Sequence, residues 1–170
     1  MEFQSCFDII GPIMVGPSSS HTAGVVSIGK FIYEWLGDCP EEANIVFYDS
    51  FAETYQGHGT DKALIGGLLG MDTADTRIRE SLEVAKGAGL QYHFEFEDQC
   101  DAYQHPNTTV VTVKSGSQKV KVGGVSLGGG LSKIFMIDDC EVDIRLSTGD
   151  NFASLVKQYK QTSEVLAEVI

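Results

Sequence analysis

A chain of 170 residues can enclose one sizeable core, and 42% hydrophobic residues place it in the globular range rather than the disordered one. A formal net charge of -12 sets up a field that repels phosphate backbones and anionic bilayers, so neither nucleic acid nor a membrane is an expected partner. No run of about 18 apolar residues occurs, Met1–Ser5 lacks the basic start of a secretory signal, and Cys6, Cys39, Cys100 and Cys140 are too irregularly spaced for a metal framework, so a cytoplasmic protein with reduced thiols is expected.

Residues 3–17 read as an apolar lead-in broken by glycine and proline. A helix is predicted to begin near Ser18–Ser20, because a serine hydroxyl accepts a free first-turn N–H. Val25, Ile28, Ile32 and Trp35 recur at three- and four-residue spacing as its buried stripe, which Gly37 and Pro40 end. Residues 43–48 read as a strand, and Gly57-His58-Gly59-Thr60 as a turn into a second helix near 60–70. Ile78, Leu82 and Ala85 mark a third helix, stopped by Gly87 and Gly89. Tyr92, Phe94 and Phe96 alternate with His93, Glu95 and Glu97, the pattern of a half-exposed strand on which His93 faces solvent. Residues 108–114, 119–125, 132–137 and 142–146 are further strands, the first two paired around Ser115-Gly116-Ser117. A last helix starts near Asp150-Asn151 with Phe152, Leu155, Tyr159 and Leu166 on its apolar side. This order is not a regular βαβ series, so the expected class is α+β: a mixed β-sheet covered by helices, in one domain over 1–170.

Three segments carry chemistry. In Gly16-Pro17-Ser18-Ser19-Ser20-His21-Thr22, free N–H groups of a helix start lie beside several hydroxyls, which suits a carboxylate. The positive helix end favours a neutral His21, and plain capping is the alternative. In Gly57-His58-Gly59-Thr60-Asp61, flanking glycines leave His58 uncrowded. Asp61 either orients His58 or, like Thr60, caps the next helix; a turn with an exposed histidine is the alternative. In His105-Pro106-Asn107-Thr108, proline restricts His105, and the Asn107 amide can hold a carboxylate or an amine; a strand-entry turn is the alternative, and the favoured one for this segment taken alone. Gly123-Gly124 and Gly128-Gly129-Gly130 allow close backbone approach or mark bulges and turns, and Gly66-Gly67 suits close helix packing. No dinucleotide, P-loop or zinc-protease motif occurs. The set reads as half of an active site whose electrophile comes from elsewhere.

Phe7-Asp8-Ile9-Ile10-Gly11-Pro12 with Gly16-Pro17-Ser18-Ser19-Ser20-His21-Thr22-Ala23-Gly24, Gly57-His58-Gly59-Thr60-Asp61-Lys62-Ala63, Gly67-Leu68-Leu69-Gly70, His105-Pro106-Asn107-Thr108 and Gly128-Gly129-Gly130 resemble the β chain of bacterial iron–sulfur-dependent L-serine dehydratase (L-serine ammonia-lyase). The likeness covers residues 3–150, and its serine–histidine string is highly specific. It implies conversion of L-serine to pyruvate and ammonia, within amino-acid metabolism and gluconeogenesis. It also implies a partner α chain whose three cysteines hold a [4Fe-4S] cluster, with the fourth iron a Lewis acid for the substrate hydroxyl. None of the cysteines of this chain matches those ligands.

The resemblance further implies a hetero-oligomer, with self-association left open, and a fold resembling the allosteric substrate-binding domain of some phosphoglycerate dehydrogenases. That second likeness supports the alternative of a non-catalytic serine-binding or allosteric module. Many such β chains continue into an ACT-type domain, which is expected to be absent here because the sequence stops at Ile170. The apolar last turns around Val165 and Val169 are a candidate partner surface, with packing on their own domain an equal alternative. On this footing His58, His21 and His105 are the candidate catalytic residues, with His58 the expected base. Ser18, Ser19, Ser20, Thr22, Thr60 and Asn107 are the candidate substrate-binding residues, and no metal ligand is expected.

Overall fold

The computed structural model describes residues 20–167, with side-chain surroundings for 21–161. The expectations for Ser18, Ser19, Val169 and the 3–17 lead-in lie outside the described residues, as do those for the side chains of Ser20, Val165 and Leu166. Five α-helices are described: α1 (Ser20–Leu36), α2 (Ser50–His58), α3 (Thr60–Leu68), α4 (Ser81–Ala88) and α5 (Phe152–Ala167), with a 3₁₀ turn at Thr76–Glu80 before α4. Six strands are described: β1 (Glu42–Tyr48), β2 (Gln91–Glu97), β3 (Thr108–Ser115), β4 (Gln118–Gly128), β5 (Leu131–Ile137) and β6 (Cys140–Ser147).

The strands form one sheet in the order β2-β1-β3-β4-β5-β6. β1 runs parallel to β2, and every other neighbour is antiparallel, so the sheet is mixed as expected. Alternation along β3 explains how both faces are used, since Val111 and Val113 point one way and Val110 the other. Val111 and Val113 join Ile28, Phe31 and Ile32 of α1, Leu64 and Leu68 of α3, and Phe47 of β1 in the main core. Val110 joins Val125, Phe135, Met136 and Cys100 in a smaller cluster flanked by Tyr48 and Tyr103. The helices thus cover one face, and the 98–107 segment contributes to a satellite core on the other.

Two glycines fix how closely α1 and α3 cross. A β-carbon at Gly67 would stand 2.8 Å from Gly29 Cα and against the Val26 carbonyl, and one at Gly29 would stand 2.6 Å from the Leu64 carbonyl. Close packing is therefore the role of Gly67, while Gly66 meets only the side chains of Ile78 and Met71. The strand glycines also serve packing: a β-carbon on Gly123 would strike the Phe135 ring, and one on Gly124 would strike Ile28. A register shift between them marks the bulge that the pair suggests.

The structure departs from the sequence reading between residues 50 and 89. Gly57 and His58 are not in a turn but complete α2, and Gly59 alone makes the turn at φ 64°, a left-handed conformation that suits glycine. Ile78 lies in the 3₁₀ turn rather than in α4, and Gly87 sits inside α4, which ends at Gly89 with φ 82°. On β2, His93 is exposed as expected, but Phe96 is 44% exposed despite sharing the apolar alternation.

Candidate functional site

One cleft of about 240 Å³ is lined by His21, Ser50, Phe51, Thr54, His58, Thr60, Pro106 and Asn107. Four segments build it. The first turn of α1 brings His21. Ser50, Thr54 and His58 recur every four residues, so they share one face of α2. Thr60 opens α3 directly after the left-handed Gly59. The loop before β3 brings Pro106 and Asn107.

Backbone and side-chain ties hold these segments in place. Thr22 is buried, and its hydroxyl donates to the His58 carbonyl at 3.2 Å, joining α1 to the end of α2. Phe51 N–H donates to the Pro106 carbonyl at 3.3 Å, joining the start of α2 to the loop. Ser126 of β4 is fully buried, and its hydroxyl donates to the His21 carbonyl at 2.8 Å. Gly24 makes this contact possible, because a β-carbon there would collide with the Ser126 hydroxyl and stand 2.9 Å from the Leu131 carbonyl. The β4–β5 turn that supports this end of α1 has three successive glycines, Gly128, Gly129 and Gly130, all at positive φ.

His105 is placed differently from the other two histidines. It lines a neighbouring cleft of about 210 Å³ with Asp49, Gln99, Cys100, Gln104 and Pro106. The two clefts share Pro106. Asn107 N–H donates to His105 Nδ1 at 3.1 Å, and the Thr108 hydroxyl donates to the His105 carbonyl at 2.8 Å. Asp61 is buried, and burial raises its carboxyl above the usual range. Its Oδ1 accepts from Lys62 N–H at 2.8 Å, so the bond it makes is local rather than one that orients His58.

The electrostatics favour neutral imidazoles at His21 and His105. Burial is the main cause holding His21 below the usual histidine value, and the charge of His58 adds to it. Burial likewise lowers His105, with a further push from His21 and a counter-pull from Asp49. A neutral ring can accept a proton or share one in a hydrogen bond. No group of three or more histidine, cysteine or acidic residues is placed to hold a metal among the described residues. Cys39 is half-buried, Cys100 buried and Cys140 exposed. The described residues therefore do not fit an iron–sulfur cluster.

Of the sequence-based candidates, His21, His58, Thr60 and Asn107 come together in one cleft. Thr22 ties α1 to the end of α2 beside the cleft, and His105 lines the neighbouring cleft that shares Pro106. Ser50, Phe51, Thr54 and Ser126 were not among those candidates. The Ser-x-x-Glu pattern of Ser50 and Glu53 is a helix-start signal that points to α2. The tie from Ser126 to His21 joins residues 105 apart and has no local signal.

The family model described as serine dehydratase beta chain matches residues 5–133. The probable L-serine dehydratase beta chain of Bacillus subtilis (strain 168) is 46% identical over 156 residues, covering 92% of this chain and 69% of that one. The L-serine dehydratase beta chain of Peptoniphilus asaccharolyticus is 38% identical over 167 residues, covering 97% and 72%. L-serine dehydratase 1 of Escherichia coli (strain K12) is 27% identical over 190 residues, covering 96% of this chain but 39% of that protein. The match to the family model and the likeness to both beta chains run through all three histidine segments, so the chain belongs to the serine dehydratase beta chain family.

Proposed function

We propose that this chain supplies the proton-transfer half of an L-serine ammonia-lyase, forming pyruvate and ammonia from L-serine together with a partner α chain. The observation that carries this reading is the cleft in which His21, His58, Thr60 and Asn107 converge, in a chain of the serine dehydratase beta chain family. In this proposal a [4Fe-4S] cluster bound by the α chain supplies the Lewis acid for the substrate hydroxyl.

The residues of this chain do the rest. His58 is exposed at the end of α2 and lines the cleft, where its ring can reach a bound amino acid and take the α proton. His21, kept neutral by burial, holds the substrate by hydrogen bonding. The Thr60 hydroxyl and the Asn107 amide bind its carboxylate or amine. Ser18, Ser19 and Ser20, which precede His21 in the sequence, are proposed as further carboxylate donors. The expected setting is cytoplasmic; among the described residues no helix is long and apolar enough to cross a membrane.

Anaerobically reconstituted mixtures of α and β chains should form pyruvate from L-serine, and the β chain alone should not. Full turnover by this chain without iron or partner would defeat the reading. A non-catalytic serine-binding or allosteric module, with a fold like that of the phosphoglycerate dehydrogenase substrate-binding domain, is the second reading. It predicts serine binding by the isolated chain, and a partner enzyme whose chemical step is unchanged in His21→Ala and His58→Ala.

A further inference from the structure

We infer that His105 is a positioning residue rather than a proton carrier: its Nδ1 accepts the backbone N–H of Asn107 and so sets the Asn107 amide in the wall of the histidine cleft. This rests on the proposed function for its kinetic consequence but not for its chemistry.

The bond of 3.1 Å from Asn107 N–H requires a lone pair on His105 Nδ1. The neutral ring must then carry its proton on Nε2. A cationic ring has hydrogens on both nitrogens and cannot accept the bond. Proton uptake at Nδ1 would therefore break the tie to Asn107.

The rest of the loop is fixed in the same manner. Thr108 Oγ1 donates to the His105 carbonyl at 2.8 Å, Phe51 N–H to the Pro106 carbonyl at 3.3 Å, and Ser126 N–H to the Asn107 carbonyl at 3.0 Å. Each residue of the His105-Pro106-Asn107 turn thus has its own anchor, and the anchors lie on α2, on β4 and at the start of β3. His105 lines the neighbouring cleft with Asp49 and Cys100, whereas His21 and His58 line the other, although the charge of His21 still reaches the His105 ring. Burial of the ring also disfavours its cationic form, in keeping with an acceptor at Nδ1 at neutral pH.

The geometry is that of an Asx-turn, in which a side-chain acceptor takes the N–H two residues on. Asparagine can supply that acceptor through Oδ1, whereas leucine cannot. This separates positioning from proton transfer, since asparagine is not a base.

The tautomer is read on the full chain by ¹⁵N NMR of histidine-labelled parent protein at neutral pH. His105 should show a bare Nδ1 and a protonated Nε2; a protonated Nδ1 overturns the inference whatever the activity of the assembled enzyme. In the α–β enzyme, His105→Asn should keep turnover within a few-fold of the parent. His105→Leu should raise KM for serine roughly tenfold, the size expected from misplacing one hydrogen bond to a charged group. If His105→Asn is as inactive as His58→Ala while still folded, His105 carries a proton and the inference is wrong. If the mixture makes no pyruvate at all, the proposed function fails, and the NMR result still decides the tautomer.

Discussion

Replacing Gly67 with alanine tests whether the crossing of α1 and α3 depends on close backbone contact at Gly67. The new β-carbon would stand 2.8 Å from Gly29 Cα and 2.9 Å from Lys30 N, both backbone atoms that cannot rotate away. Overpacking costs about 1–3 kcal/mol, and a rigid neighbour places this case near the upper end. Alanine recovers about 1 kcal/mol through its higher helix propensity. The net loss is about 2 kcal/mol, or a fall in Tm of roughly 4–8 °C for a chain of this size. Gly66→Ala is the matched control. Its nearest contact is the Ile78 side chain at 3.1 Å, which can give way, so the helix gain should leave that variant within about 1 kcal/mol of the parent. Urea unfolding of the two variants measures the difference. A Gly67→Ala chain as stable as Gly66→Ala would refute the close-crossing argument.

Thr22→Val should cost about 1 kcal/mol through loss of the bond to the His58 carbonyl, measured by urea unfolding, and should lower turnover by loosening the end of α2. Lys160→Met should cost about 1 kcal/mol or more in the same assay, because Lys160 donates to the Trp35 carbonyl at 2.6 Å near the end of α1 and lies over the Trp35 ring at 4.8 Å. The histidines should also make stability depend on pH. His21 and His105 lie below their usual value in the folded chain, so the unfolded chain binds more protons in the window just below about pH 6.5. The stability they contribute is present above that value and is lost as pH falls toward the depressed folded values. Unfolding midpoints at about pH 7.5 and about pH 5 should therefore differ less in His21→Gln than in the parent, and an unchanged difference would contradict the burial of His21.

Long periodic elements were legible because one packing rule dominates them. The stripe of Val25, Ile28 and Ile32 is fully buried in α1, and the valine-rich strands pair as their alternation suggests. The failure at α2 has a physical cause. Its sequence, Ser50–His58, has only one fully buried residue, Phe51, so it offers little periodicity, and Gly57 suggested a break that the helix tolerates. The three histidine motifs were visible as polar residues in glycine- and proline-rich settings. Their division between two clefts was not, because it depends on where the Pro106 loop meets α2 through Phe51. Burial supplies the leading cause of the neutral His21, where sequence reasoning invoked the helix end. Likewise, the Ser126 brace could not be read from any local pattern.

The central claim is that the cleft shared by His21 and His58 removes the α proton of serine. Solvent deuterium incorporation at the α carbon of serine, followed in the assembled α–β enzyme carrying His58→Ala, tests it most directly. The account predicts that exchange and pyruvate formation both fall about 10²–10⁴-fold while serine still binds and the cluster remains loaded. Exchange and turnover equal to those of the parent would contradict it.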